Sequence, residues 1–278
     1  MAIILEGMPV AKKIYQEIVE QMSRFGQKKP QLVLYCSHPD DSTQAYMKSI
    51  LKRGEKLGIP VHVIEASKQP FNDIMRFNND SVISGVMIMH PLREVDEDMI
   101  IKAISPLKDV EGRGPVNLGG VVMGEAYYAP PTAEAVMEIL DFYGISIRGR
   151  DVTILGRSTT VGKPLALLML KKGVDGTVTV CHSRTRNIES KAKGADILVS
   201  AVGKAGFVRK SWVKEGAVVI DVGINFSNGK IVGDVDFEEV KDIATAITPV
   251  PHGVGVVTTA VLFKHLVESF KRILDGGL

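Results

Sequence analysis

Between residues 9 and 25 apolar side chains recur at Val10, Ile14, Ile18, Val19 and Met22, while Lys12, Lys13, Glu17 and Glu20 take the other side. That spacing predicts an amphipathic helix. A strand-forming run follows at 31–36, and the polar turn 37–42 can cap a helix that reaches about Leu57, where Gly58 and Pro60 stop it. Residues 61–64 predict a second strand, 71–77 a short helix and 85–89 a third strand. Strands alternating with helices predict a parallel α/β layer. From Pro106 to Pro131 the period dissolves among Gly and Pro, which predicts a long functional loop.

Helical spacing returns at Ala135, Val136, Ile139, Leu140 and Tyr143 behind a capping Thr132, a helix expected to link two domains. Short β-branched runs at 152–155, 177–180, 197–200, 218–221 and 246–248, with helical spans near 187–194 and 209–215, predict a doubly wound nucleotide fold. A last helix over 258–274, with Val261, Leu262, Leu266, Phe270 and Ile273 on one face, is expected to return to the first domain. The expected division is therefore 1–131 plus 262–278 for the first domain and 132–261 for the second.

Composition narrows the class. The chain has 278 residues, 45% of them hydrophobic, and a formal net charge of +2. That is ample for a globular core, and no bulk field points to nucleic acid or a membrane. Cys36 and Cys181 stand far apart with no Cys-x-x-Cys spacing, against a disulfide framework or a zinc site. No targeting segment or long apolar span is visible, so a cytoplasmic protein without a metal is expected.

The candidate chemistry begins at the turn Gly156-Arg157-Ser158-Thr159-Thr160-Val161-Gly162 between an apolar strand and a helix. A strand entering a helix through such a turn aims backbone N–H groups and the positive helix end at an anion. The usual Gly-x-Gly-x-x-Gly spacing is absent, and a tight packing turn is the competing reading. The next strand ends in Cys181-His182-Ser183-Arg184-Thr185 with no acid to take a ribose hydroxyl. Ser183 and Arg184, with Arg157, offer donors for a 2′-phosphate instead, which favours NADP over NAD.

Together with Ala195-Asp196-Ile197, Ala201-Val202-Gly203, Asp221-Val222-Gly223-Ile224-Asn225, Gly233-Asp234-Val235 and Thr248-Pro249-Val250-Pro251-x-Gly253-Val254-Gly255, these segments resemble the bifunctional methylenetetrahydrofolate dehydrogenase/cyclohydrolase family. The resemblance covers essentially the whole chain. It implies an N-terminal α/β catalytic domain, a doubly wound Rossmann-type NADP domain, a cleft between them, and usually a homodimer. It also implies oxidation of 5,10-methylenetetrahydrofolate to the methenyl form and hydrolysis to 10-formyltetrahydrofolate, a contribution to purine biosynthesis. The implied cofactor residues are Gly156, Arg157, Ser158, Val161, Gly162, Ser183, Arg184, Thr185, Val202, Gly203, Ile224, Pro251, Gly253 and Gly255.

The folate half departs from the family pattern. Tyr46 matches the family's tyrosine, but Ile50 stands where a lysine is expected four residues on, and isoleucine cannot move a proton. At about 100° per residue, Lys48 and Lys52 lie roughly 200° and 120° around the helix from Tyr46. Met89 replaces an amide, Glu111 an aspartate and His252 a glycine, and 130–133 departs from the family's Pro-Cys-Thr-Pro. The expected catalytic residues are Tyr46, Glu111 and Lys108, with His90 a lesser candidate. Tyr46 as a core aromatic is the competing reading. A degenerate relative serving as an NADP-binding regulatory module, or a dehydrogenase of another small cyclic substrate, are the alternatives for the whole.

Overall fold

The computed structural model describes residues 2–227 and 229–276; Met1, Gly277 and Leu278, all in the expected first domain, and Asn228 lie outside the description. In chain order the elements are β1 (Ile3–Ile4), α1 (Gly7–Ser23), β2 (Leu32–Cys36), α2 (Asp41–Leu57), β3 (Val61–Glu65), α3 (Pro70–Asn79), β4 (Gly85–Ile88), α4 (Glu97–Ala103), α5 (Pro115–Met123) and α6 (Pro131–Phe142). There follow β5 (Asp151–Leu155), α7 (Gly162–Leu170), β6 (Thr177–Cys181), α8 (Ile188–Lys193), β7 (Ile197–Ser200), a 3-10 turn (Lys210–Trp212), β8 (Val218–Asp221), β9 (Asn225–Ser227), β10 (Lys230–Val232), α9 (Phe237–Val240), β11 (Ala246–Ile247) and α10 (Val254–Leu274).

These elements form two units, one of Met1–Lys13 with Pro130–Val261 and the other of Ile14–Ala129 with Leu262–Leu278. The expected division is corrected at the N-terminus. Ile3 and Ile4 form a parallel edge strand beside Ala246 and Ile247, so the first residues join the nucleotide unit. Two residues are too short a run to show a period, which is why the sequence pattern misses them.

In the Ile14–Ala129 unit β3, β2 and β4 form a parallel sheet in that order. Every residue of β2 is buried, as a central strand covered on both faces requires. Its core joins Val33, Tyr35, Ile74, Phe77, Ile88, Leu92, Ile100 and Ile101. Helix α2 starts where Asp40 accepts from Thr43 N and stops at Gly58, whose φ of +66° is left-handed. Its buried stripe is Thr43, Met47, Ile50 and Gly54. The Gly/Pro stretch expected as loop contains α5, and α4 lies just before it. The glycines of α5 serve packing: a Cβ on Gly120 would stand 2.6 Å from the Ala126 Cα.

The nucleotide unit carries six parallel strands in the order β1-β11-β8-β7-β5-β6. Its core gathers Leu155, Cys181, Leu198, Val208, Val219, Val235, Val240 and Ile247. The helix expected near 209–215 is only the 3-10 turn.

Candidate active site

Register brings the nucleotide candidates to one edge. Leu155 pairs with Cys181 on one side and Ser200 on the other, and Ser200 pairs with Asp221. The four strands are parallel and end in line, so the turns at 156–162, 182–185, 201–204 and 222–224 all leave from their carboxyl edge. β5 has its chain-successor β6 on one flank and β7 on the other, which is the topological switch point where open α/β sheets bind ligands. There Gly156, at φ +121°, lies so close to Ala201 O that a side chain would collide, and a Cβ on Gly162 would strike Gly156 O. Ser158 Oγ accepts from Val161 N at 3.0 Å and closes the turn. Arg157, Ser183 and Arg184 are exposed. Thr185 has a structural part: its Oγ1 accepts from His182 N at 2.9 Å and its own N donates to His182 O at 2.8 Å.

Two buried carboxylates unforeseen in the sequence hold the neighbouring loops. Asp234 accepts from Val202 N (2.7 Å), Gly203 N (3.2 Å), Lys204 N (2.8 Å), Ser200 Oγ (3.3 Å) and Asn225 Nδ2 (3.0 Å). Asp221 accepts from Gly223 N and Asp234 N at 3.0 Å and from Val235 N at 2.8 Å. Burial pushes the Asp221 carboxyl up to about 7 against the pull of those N–H groups. Gly223 and Gly233 are glycine because any side chain there would overlap Asp234 and Asp221 respectively. Val202 and Gly203 are therefore fixed by a carboxylate, and Ile224, 60% exposed, lies 3.5 Å from where a Gly255 Cβ would be. The Pro249–Gly253 loop follows β11. In it Pro251 is exposed, Gly253 is buried against Pro249 O, and His252 takes a left-handed φ of +82°.

In the other unit the strand β4 ends beside Glu111, whose Oε2 accepts from Ile88 N at 3.0 Å. The loop carrying Glu111 is braced by buried Asp109, which accepts from Gly114 N (2.7 Å), Arg113 N (3.2 Å) and Asn117 Nδ2 (3.0 Å). Gly112 makes its turn at φ +58°, with Tyr128 O only 2.6 Å from where a Cβ would sit. Burial pushes the Glu111 carboxyl up to about 7, partly opposed by the Arg113 guanidinium. Tyr46 is 37% exposed, which corrects the core-aromatic reading, whereas Ile50 is fully buried.

Lys108 is corrected as well. It is fully buried, and Nζ donates to Phe77 O (2.9 Å), Asn78 O (2.9 Å) and Asp80 O (2.7 Å). An ammonium has three donors, and here all three close the carbonyl end of α3. Burial lowers its pKa, yet nothing is left to offer a substrate.

Residues 5–111 match the tetrahydrofolate dehydrogenase/cyclohydrolase catalytic domain, and residues 130–274 match the NAD(P)-binding domain of the same description. The chain belongs to the tetrahydrofolate dehydrogenase/cyclohydrolase family. A bifunctional protein FolD from Kosmotoga olearia is 59% identical over 274 residues and covers 99% of each chain. The bifunctional FolD of Campylobacter jejuni superposes with a TM-score of 0.92 at 34% identity, covering 98% of this chain and 99% of that one. A Trypanosoma brucei methylenetetrahydrofolate dehydrogenase-cyclohydrolase, solved with NADP and an inhibitor, gives 0.91 at 34% identity and covers 98% of each.

Within this tetrahydrofolate dehydrogenase/cyclohydrolase chain, Glu97 and Arg113 are further charged groups beside Glu111 that the sequence pattern did not single out. They lie 16 residues apart and meet only through the fold, with Arg113 Nη2 at 2.7 Å from Glu97 Oε1. Asp221 and Asp234 could have been flagged as acids inside apolar runs with a glycine within two residues, a pattern that asks what a buried charge is for.

Proposed function

We infer that this chain is an NADP-dependent methylenetetrahydrofolate dehydrogenase acting on tetrahydrofolate one-carbon derivatives. The observation that carries the reading is the in-register row of strand ends with a glycine turn at the switch point and a basic, acid-free turn after β6. Gly156, Ser158, Val161 and Gly162 would hold the pyrophosphate at the start of α7, where backbone N–H groups and the helix dipole favour an anion. Arg157, Ser183 and Arg184 would take the 2′-phosphate, with Thr185 holding their turn in shape. Val202, Gly203, Ile224, Pro251, Gly253 and Gly255 would line the nicotinamide end, where glycines allow close backbone approach. NADP, when bound, accepts the hydride. The remaining task of the protein is alignment, in which Tyr46 and Glu111 are the folate-side groups.

The test is NADPH formation from methylenetetrahydrofolate; no turnover with purified protein would overturn the reading. NADP should bind more tightly than NAD by roughly 1.5–3 kcal/mol, the worth of a hydrogen bond to a charged group. Arg157→Ala should weaken NADP more than NAD in calorimetry. An equal loss for both would assign Arg157 to the turn.

Hydrolysis of the methenyl product is expected to be slow. Water attack needs a proton acceptor and then a donor, typically worth about 10²–10⁴-fold, and fully buried Ile50 offers neither. Methenyltetrahydrofolate hydrolysis by wild type and Ile50→Lys, corrected for the spontaneous rate, decides it. A fast wild-type rate that Ile50→Lys leaves unchanged would remove position 50 from the argument.

Family membership extends the reading to a cytoplasmic homodimer that serves purine biosynthesis. Among the described residues no helix is long and apolar enough to cross a membrane. A monomer mass by light scattering would overturn the dimer.

A further inference from the structure

Glu97 begins α4, and its carboxylate gathers three partners: Arg113 Nη2 and His90 Nδ1, each at 2.7 Å, and Leu92 N at 3.2 Å. The side chains of Arg113, Glu97 and Glu111 are only 18%, 17% and 16% exposed. A guanidinium is a rigid planar fork, so clamping one terminal nitrogen aims the other. That other nitrogen, Nη1, lies 3.8 Å from Glu111 Oε2, the oxygen that also accepts from Ile88 N. We propose that Arg113 is a positioning residue that directs the Glu111 carboxylate and favours its charged form, with Glu97 as the clamp that holds Arg113 in place.

The proposal rests on the reading of Glu111 as a folate-side group. Among the described residues, the charged groups that act on Glu111 most strongly are Arg113 and Asp109 from its own loop and Glu97 from α4, with His90 behind Glu97. Of these, Arg113 is a permanent cation. Without it, burial and two neighbouring carboxylates would all favour protonated Glu111, and protonation turns one acceptor oxygen of the carboxyl into a donor. A bridge of merely structural worth would affect melting and leave the charge state of Glu111 alone.

The experiment follows the side-chain carboxyl of Glu111 by NMR in the full-length protein labelled at glutamate, with its resonance assigned by its loss in Glu111→Gln. In Arg113→Met the titration midpoint should rise by about 1–3 pH units, the usual effect of an opposite charge at this range. Arg113→Lys should recover much of the shift. The acid limb of kcat/KM for dehydrogenation should move with the NMR midpoint. Arg113→Gln, which keeps a polar side chain and removes the charge, carries the same expectation if Arg113→Met does not fold. An unmoved midpoint in whichever variant folds overturns the proposal. Full activity in Glu111→Gln would instead overturn the reading of Glu111 and leave the titration result standing, so the two failures are distinct.

Discussion

His252 shows how one substitution can be legible in sequence and explained only in three dimensions. It stands where the family resemblance expects glycine, and its φ of +82° is the conformation that glycine adopts without strain. A side chain there costs about 1–2 kcal/mol, and the greater freedom of unfolded glycine returns roughly 0.5–1 of it. His252→Gly should therefore stabilise the protein by about 0.5–1 kcal/mol in reversible denaturation; a loss would mean that the imidazole makes a contact worth more than the strain. Lys108 teaches the opposite. In sequence it is a loop lysine near a candidate acid, and nothing local says that its ammonium closes the end of α3. Lys108→Met should cost about 1–3 kcal/mol for each carbonyl left buried and unpaired. The rate per folded enzyme should stay unchanged, and a loss of rate without a loss of stability would return Lys108 to the chemistry.

At the scale of elements, the strands of the nucleotide sheet were readable because each is a short β-branched run bounded by glycine or polar turns, and burial on both faces demands continuous apolar sequence. Helix α5 was not readable. Its Gly119 and Gly120 lower helix propensity, and the close approach of Ala126 that requires Gly120 is a tertiary fact. The cofactor turns could likewise be located from their glycines, but the carboxylate that ties 202–204 together comes from beyond the β9–β10 hairpin. Asp234→Ala would release five donors at once. The NADP dissociation constant should rise roughly tenfold or more, because small misplacements of a positioning loop carry large penalties. Calorimetry on a folded Asp234→Ala protein showing unchanged NADP affinity would separate that loop from the cofactor.

For the molecule as a whole, a raised carboxyl contributes to the pH response of stability. Glu111 sits near 7 in the folded protein against an ordinary value of 4.5. Below 4.5 both folded and unfolded forms are protonated and there is no penalty. Between 4.5 and 7 the unfolded chain ionises first, so stability falls as pH rises through the folded value. Glu111→Gln removes that ionisation. Its stability should gain on wild type across this window by up to about 3 kcal/mol, less whatever its lost contacts cost. Parallel melting curves for the two proteins between these pH values would refute the shift.

The division of the chain also has a bearing on synthesis. β1 is made long before β11, the strand with which it pairs at Ala246 and Ile247. The other unit waits longer, since Ser269 Oγ lies within hydrogen-bond distance of Ser84 O and Leu107 O, and His265 Nδ1 lies 2.9 Å from Val110 O. The nucleotide unit is finished only at Val261, and the other unit needs the residues that follow from Leu262. Edges and apolar faces formed early must therefore remain open until those later residues are made, the interval in which non-local folds are most exposed to aggregation and most dependent on chaperones.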